Sequence, residues 1–119
     1  MAAKKGDYAK MLRKEAGRWL KERRLELGYT QADIADKIGK KFFTFVSQIE
    51  NGTSRVPPEL YAVWADALQV PVDQFTKHLM KYYDPITYAA IFEPVVEKGW
   101  RLKVEVDGKT LEQWSEADA

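Results

Sequence analysis

The fold is decided by residues 27–52, which read LGYTQADIADKIGKKFFTFVSQIENG. Thr30 is a good N-cap, so a short helix is predicted over residues 31–38, and Gly39 ends it. A lysine turn follows, and a second helix is predicted over residues 42–50. Two short helices joined by so few residues must cross closely, which is typical of a helix–turn–helix unit.

The apolar residues of these two helices decide which side of the second helix points outward. Ala35 is small enough for a close crossing, and Val46 and Ile49 hold the second helix against the first. Helical periodicity then places four polar residues on or beside the opposite side: Thr44, Ser47, Gln48 and Asn51. A rigidly held helix with a polar outward side fits a DNA major groove, which is about 12 Å wide.

The rest of the sequence predicts a mainly helical chain. A long first helix is expected to be capped by Asp7 and to stop at Gly28. Three further helices are predicted over residues 59–68, 72–83 and 86–92, the last of which starts at Asp84-Pro85.

After Pro94 the pattern changes from helical spacing to alternation. Strands are predicted over residues 100–106 and 109–114, and Asp107-Gly108 forms the hairpin turn between them. Residues 1–7 are expected to form a mobile arm, and residues 115–119 are expected to be disordered.

Composition excludes most enzyme classes. The chain has 119 residues, enough for one domain with a short extra piece, and 45% of them are apolar, enough for a core. It has no cysteine and a single histidine, His78, so a thiolate metal site, a cysteine nucleophile and a multi-histidine cluster are all excluded. We expect no enzyme activity, no metal and no cofactor, and we interpret His78 as an ordinary neutral side chain.

Hydropathy and charge point to a soluble protein with an uneven surface. No apolar stretch approaches the roughly 18 residues that cross a bilayer, and the N-terminus lacks the apolar region of a signal peptide. We therefore expect a cytoplasmic protein with no membrane partner. The net charge is +1, yet residues 1–60 hold thirteen Lys and Arg against eight Asp and Glu, whereas residues 61–119 hold six against ten. This asymmetry fits either ordinary surface variation or a cationic face for a polyanion.

The motif residues resemble the Cro and phage-repressor domains of the XRE family. The matching segments are Leu27-Gly28-Tyr29-Thr30-Gln31, Ile34-Ala35, Ile38-Gly39 and Val46-Ser47-Gln48-Ile49-Glu50-Asn51-Gly52, within a likeness that covers residues 17–76. The resemblance implies a five-helix helix–turn–helix domain whose third helix recognises DNA. It also implies that Gln31 contacts phosphate and that Arg24 pairs with Glu50 to hold the recognition helix.

The turn departs from the family's usual length. Six residues separate Gly39 from Val46, where the family usually has five. The aromatic run at residues 41–46, the Pro57-Pro58 loop and the segment Tyr82-Tyr83-Asp84-Pro85 are similar to a subgroup of such regulators from alphaproteobacteria.

The expected DNA contacts are of two kinds. Gln48 can bond adenine with two hydrogen bonds, and Thr44 offers a hydroxyl and a methyl group to thymine. Phosphate contacts, which position a protein without reading sequence, are expected at both ends of the recognition helix from Lys40, Lys41 and Arg55. The alternative is that these cations are only solvated surface charge.

The large aromatic and aliphatic residues are predicted either to contact DNA or to pack in the protein core. Phe43 lies nearest the outward side, and it is the phenylalanine predicted to touch a thymine methyl or a sugar. Core positions are predicted for Phe42, Phe45, Trp19, Trp64, Phe75 and Leu79. Residues 82–92 are apolar enough for either core packing or a dimer interface, and the strand at residues 102–106 is expected to pair with its twin in a second copy.

We therefore divide the chain into a helix–turn–helix domain at residues 8–83 and a C-terminal extension at residues 84–114 that serves dimerisation. The predicted function is a sequence-specific transcriptional regulator, a repressor that binds a palindromic double-stranded DNA operator as a homodimer. The alternative is an antitoxin that regulates its own operon, with residues 94–114 as the toxin-binding arm. The sequence identifies no small-molecule effector.

Overall fold

In the part of the chain that the structure describes, one long helix is followed by five shorter helices and a small sheet. The structure is a computed structural model that describes residues 5–97, 99–106 and 109–114. Its elements, in chain order, are α1 (Lys5–Glu26), α2 (Gln31–Lys37), α3 (Thr44–Glu50), a 3-10 turn (Pro58–Leu60), α4 (Tyr61–Ala67), α5 (Val72–Tyr83), α6 (Pro85–Phe92), β1 (Pro94–Glu97), β2 (Gly99–Val106) and β3 (Lys109–Trp114). The predicted mainly α fold class is confirmed.

Local sequence signals determine the loop between α1 and α2. Gly28 takes a φ of +77°, a left-handed conformation that glycine adopts without strain, and the chain leaves α1 there as predicted. Thr30 then caps α2: the backbone N–H of Asp33 donates to Thr30 Oγ1 at 3.0 Å, and the backbone N–H of Thr30 donates to Asp33 Oδ2 at 2.8 Å. This reciprocal capping box satisfies two backbone donors that the start of a helix leaves unpaired.

Three predicted helix starts were wrong. α1 begins at Lys5, so Asp7 lies in its first turn and does not cap it, and the predicted mobile arm is helical from Lys5 onward. α3 begins at Thr44 and not at residue 42, because the turn takes up the residues through Phe43. The predicted helix at residues 59–68 is a 3-10 turn that runs into α4.

The chain divides into two compact units, one up to Thr76 and one from Lys77 onward. The core of the first unit is formed by buried apolar residues of α1 to α5 and of the segments that connect these helices: Leu12, Ala16, Leu20, Ile34, Ala35, Ile38, Val46, Ile49, Val56, Trp64, Ala65, Ala67, Leu68 and Phe75. Trp64 and Phe75 are fully buried as predicted, and the half-buried Trp19 places its ring 5.8 Å from that of Phe75. Because burying a large apolar side chain is worth about 1.5–3 kcal/mol, this cluster is the main source of the unit's stability.

The second unit contains the end of α5, α6 and the sheet. Leu79 is buried as predicted, and Tyr82 and Tyr83 are nearly so. α6 begins where the sequence places it, because the side chain of Asp84 accepts a hydrogen bond from the backbone N–H of Thr87 at 3.3 Å. The end of α6 is exposed, as described below.

The sheet has three antiparallel strands in the order β1-β2-β3. Pro94 of β1 is opposite Leu102 of β2, and Val104 of β2 is opposite Leu111 of β3. The two predicted strands are present, but β1 was not predicted. β2 is the central strand, but β1 pairs with it only along residues 99–102, so the expected pairing of residues 102–106 with a twin strand stays a prediction. The predicted turn at Asp107-Gly108 and the tail at residues 115–119 lie outside the described residues.

Candidate nucleic-acid interface

Helix α3 is held by one side and exposed on the other. Val46 and Ile49 are completely buried. Thr44, Gln48 and Asn51 are exposed, and Ser47 is half-buried beside them. We name these four polar residues the outward face of α3. Helical periodicity therefore places the predicted base-reading residues on the accessible side, because positions three and four residues apart share a face.

A buried ion pair braces α3 against α1. Arg24 of α1 donates from Nε to Glu50 Oε2 at 2.8 Å and from Nη2 to Glu50 Oε1 at 3.0 Å, with both side chains almost fully buried. Arg24 Nη1 also donates to the backbone oxygen of Tyr29 at 2.8 Å, which ties the loop before α2 to the same group. A two-pronged arginine–carboxylate pair holds its partners in one orientation, so the pairing implied by the resemblance stabilises the position of α3.

Gln31 is partly exposed and also hydrogen bonds to the Arg24–Glu50 pair. Its Nε2 donates to Glu50 Oε1 at 3.1 Å, and the residue is half-buried. Gln31 was predicted only to contact phosphate, and its internal hydrogen bond to Glu50 was not predicted. An amide carries two N–H donors, so one of them can hold Glu50 while the other points elsewhere.

Two glycines set how closely α1 approaches α3 and the turn after it. A Cβ atom added to Gly17 would lie 2.2 Å from the backbone oxygen of Glu50 and 2.6 Å from that of Ile49. Gly52 has a φ of +84°, and its missing Cβ would lie 2.8 Å from the Cα of Lys14. From the sequence, Gly52 was expected only to end α3, and Gly17 was not predicted to matter, since a glycine inside a helix gives no local signal of what lies across from it.

The cations predicted to contact phosphate are all exposed. Lys40 places its Nζ 4.7 Å from the ring centroid of Phe45, and Lys41 places its Nζ 5.5 Å from that of Phe42. Arg55 is exposed in the loop after α3. The two lysines precede α3 and the arginine follows it, so the positive charges lie at both ends of the helix that carries the outward face.

The three phenylalanines before Val46 divide differently from the expectation. Phe45 is half-buried, and its ring lies 6.1 Å from that of Trp64. Phe43 is 53% exposed, in agreement with its outward assignment. Phe42 is 64% exposed, so its predicted core position was wrong. Phe42 lies in the turn before α3 and not in the helix where it was predicted, so helical periodicity does not direct its ring toward the core.

Asn51 combines exposure with a local structural role. Its Oδ1 accepts a hydrogen bond from the backbone N–H of Thr53 at 2.9 Å, which shapes the turn at the end of α3. The NH₂ group of the same side-chain amide takes no part in that hydrogen bond. Asn51 therefore contributes a donor to the outward face while its oxygen serves the turn.

Two classes of site are not found among the described residues. No group of three or more histidine, aspartate or glutamate side chains that could hold a metal occurs there. Within the same residues, no helix combines the length and the apolar character needed to cross a membrane.

Comparison with known proteins assigns the region that contains this interface. A family model described as helix-turn-helix matches residues 20–75, which include α2, α3 and α4 complete. No curated protein matches the chain at a significant level. The matched family consists of DNA-binding domains of the Cro/C1 type and is not typically enzymatic. Residues 20–75 therefore match the Cro/C1-type helix-turn-helix domains of the XRE family, and this domain supports a role as a DNA-binding regulator.

Proposed function

We propose that the protein is a repressor that binds a two-fold symmetric operator as a homodimer, with α3 as its recognition helix. The observation that supports this most is the division of α3 into a buried apolar side and an exposed polar side. A helix braced by a buried ion pair presents its polar side chains in one orientation, as reading base edges in a major groove requires.

The proposed contacts follow from the chemistry of each exposed residue. Gln48 and Thr44 read base edges, and Ser47 and Asn51 support them from the same face. The phosphate-contacting set consists of Gln31, Lys40, Lys41 and Arg55, and Phe43 adds an apolar contact. Gln31 uses the amide N–H that is not directed to Glu50. Because phosphate contacts carry no sequence information, this set positions the protein and leaves base reading to other residues.

The proposed dimer uses the extension at residues 84–114. At the end of α6, Ile91 is 58% exposed and Phe92 is 43% exposed. In the same unit, Lys77 Nζ lies 4.5 Å from the Phe92 ring centroid, and the Tyr88 ring lies 5.0 Å from it. Two neighbouring exposed apolar residues next to an aromatic group favour a contact with a second copy of this extension, and operator symmetry calls for such a copy.

The separate second unit also supports an antitoxin as a second candidate function. Within the described residues, its outer strands β1 and β3 each pair on one side only, and such an edge can accept a strand from a partner protein. If this is the function, expression of a small toxin encoded beside the gene arrests growth, and co-expression of this chain restores it.

The base-reading proposal is tested with an operator selected from random DNA by the wild-type protein. We expect Gln48→Ala and Thr44→Ala each to weaken binding to this operator by about 1 kcal/mol or more, while non-specific binding stays the same. Gln74→Ala, which removes an exposed glutamine from α5, is the matched control and is expected to bind as the wild type does. If neither α3 variant loses affinity, base reading by α3 is wrong.

The dimer proposal has a separate test. Sedimentation is expected to give a dimer mass for the wild type and a monomer mass for Ile91→Lys, since a buried unpaired ammonium in an apolar interface is costly. Val72→Lys, a change at another exposed apolar residue (49% exposed), is the control. A selected operator without two half-sites about 10 base pairs apart would contradict the symmetric arrangement.

A further inference from the structure

Two consecutive phenylalanines are exposed in the turn that leads into α3. Phe42 is 64% exposed and Phe43 is 53% exposed, whereas Phe45, two residues later, packs against Trp64. Full burial of a phenylalanine side chain stabilises a fold by about 1.5–3 kcal/mol. Two side chains in this turn do not gain this full stabilisation. The folding of the first unit does not explain this exposure.

The two rings lie next to the base-reading residues in the chain. Phe43 is the N-cap residue of α3 and has helical backbone angles (φ −68°, ψ −17°), so it continues the helical path by one residue. Thr44 follows immediately. With a rise of about 1.5 Å per residue, the Cα of Phe43 lies about 7.5 Å along the axis from that of Gln48. The rings therefore lie at the same end of the helix as Thr44.

The segment of the chain that carries the rings is cationic. Lys41 Nζ lies 5.5 Å from the Phe42 ring centroid, and Lys40 Nζ lies 4.7 Å from the Phe45 ring centroid. No aspartate or glutamate occurs between Lys37 and Gln48. A segment with this charge attracts a polyanion and repels a cationic partner. The exposed rings are therefore brought against DNA.

The chemistry of a phenyl ring limits what it can recognise there. A phenyl ring has no hydrogen-bond donor or acceptor, so it cannot read the polar edges of the bases. The apolar group in the major groove is the C5 methyl of a pyrimidine, which thymine carries and cytosine lacks. We propose that Phe42 and Phe43 together form a methyl-reading element that recognises the C5 methyl of a pyrimidine at the edge of each half-site. This inference rests on the proposed function and adds a specificity determinant outside the outward face of α3.

A double-mutant cycle between side chain and methyl group tests the proposal. The wild-type protein first selects an operator. Each thymine of a half-site is then replaced in turn by deoxyuridine, which removes only the C5 methyl, and binding is measured. We expect a loss of about fourfold at one or two positions, because one methyl group is worth about one buried CH₂. Phe42→Ala and Phe43→Ala are expected to bind the thymine operator more weakly and to lose their response to deoxyuridine at those positions.

Two further sets of measurements show whether the base methyl is the group that is read and which side chains read it. At the responding positions, a cytosine is expected to recover affinity when it is replaced by 5-methylcytosine, which shows that the methyl and not the thymine carbonyl is read. Thr44→Ser removes the other methyl-bearing contact, and it is expected to keep the deoxyuridine response. Leu25→Ala, which shortens a residue of α1 that is 56% exposed, controls for loss of exposed apolar surface in general.

The outcomes separate this inference from the proposed function. If the wild-type protein selects no DNA sequence, the proposed function fails. If it selects an operator but deoxyuridine changes nothing, the methyl-reading element is refuted and the proposed function stands. Equal losses for Phe42→Ala on thymine and deoxyuridine operators would place the ring on sugar or backbone and would also refute it. Unchanged affinity of both phenylalanine variants, with unchanged melting temperatures, would assign the rings to a protein partner instead.

Discussion

At the scale of single residues, Gly17 decides whether α1 and α3 can meet. Its Cα faces the backbone of Ile49 and Glu50, and the contact distances given above leave no room for one more carbon atom. The neighbouring backbone cannot move aside as a flexible side chain would, because it is the end of α3 itself. Position 17 therefore acts on the recognition helix although it lies on another element.

We expect Gly17→Ala to lower the free energy of unfolding by about 3 kcal/mol or more, at the upper end of the cost of overpacking, because the clash is with backbone. Urea unfolding measures the effect. Gly6→Ala is the matched control, since the added Cβ at position 6 meets nothing within 4 Å in the same helix. That control is expected to keep or raise stability by up to about 1 kcal/mol. Equal effects of the two substitutions would contradict the close crossing.

Glu50 is the residue on which the bracing of α3 converges. Glu50→Gln leaves the buried guanidinium of Arg24 without a compensating charge, and we expect a loss of about 3–5 kcal/mol in the free energy of unfolding. Glu26 forms an exposed ion pair with Arg23, and the Glu26 side chain is 65% exposed. Glu26→Gln is therefore expected to lower the free energy of unfolding by less than about 1 kcal/mol. Chemical denaturation of both variants checks the difference, and similar losses would show that burial of the Arg24 pair does not matter.

At the scale of elements, α2 shows how a local signal becomes a measurable charge effect. The backbone N–H of Thr30, and then its side chain, hydrogen bond to the Asp33 carboxylate and hold the pKa of Asp33 below its ordinary value of 3.8, and Lys37 adds a smaller contribution. A lowered pKa in the folded state means that this carboxylate stabilises the fold at pH values above 3.8. The contribution is lost as the pH falls through the lowered value.

Carboxyl NMR titration measures this pKa directly. We expect the pKa of Asp33 to lie below 3.8 in the wild type and to rise toward that value in Thr30→Ala, which removes the side-chain partner and keeps the backbone N–H. Thr30→Ser retains the hydroxyl and is expected to keep the low pKa. A pKa that does not differ between the alanine and serine variants would show that the cap hydroxyl contributes nothing.

The start of α3 shows where element prediction from sequence stops. The periodicity of Val46 and Ile49 correctly predicts the helix and its buried side, but not its first residue. No cap residue precedes Thr44, since Phe43 has no side-chain oxygen, and the structure alone shows that the turn extends through Phe43. The missing cap signal and the longer turn explain why Phe42 was placed inside the helix and in the core.

At the scale of the whole molecule, the uneven charge predicts a salt-dependent affinity. The logarithm of the binding constant is expected to fall with the logarithm of salt concentration by about 0.9 for each phosphate neutralised. Lys40→Ala and Lys41→Ala should each lower the magnitude of this slope by about 0.9, with losses that are similar on specific and non-specific DNA. Lys21→Ala, at an exposed lysine of α1, is the control. Unchanged slopes would favour the alternative that both lysines are solvated surface charge.

The amino-acid sequence alone was enough to predict the helix–turn–helix unit and the outward face of α3, and the family resemblance added the Arg24–Glu50 pair. Capping residues, glycine stops and apolar spacing are signals that act within a few residues, so they can be recognised without knowing what lies across from them. The predicted strands at the C-terminal end follow from alternation for the same reason.

Tertiary structure alone decided the contacts between residues that are distant in the chain. The approach of Gly17 to the end of α3, the hydrogen bond from Gln31 to Glu50, the exposure of Phe42 and the central place of β2 each depend on which segments meet in space. Burial and close approach depend on two segments at once, and the local sequence of one segment does not show which other segment it meets. A local pattern therefore predicts an element, whereas only the packed chain shows what that element touches.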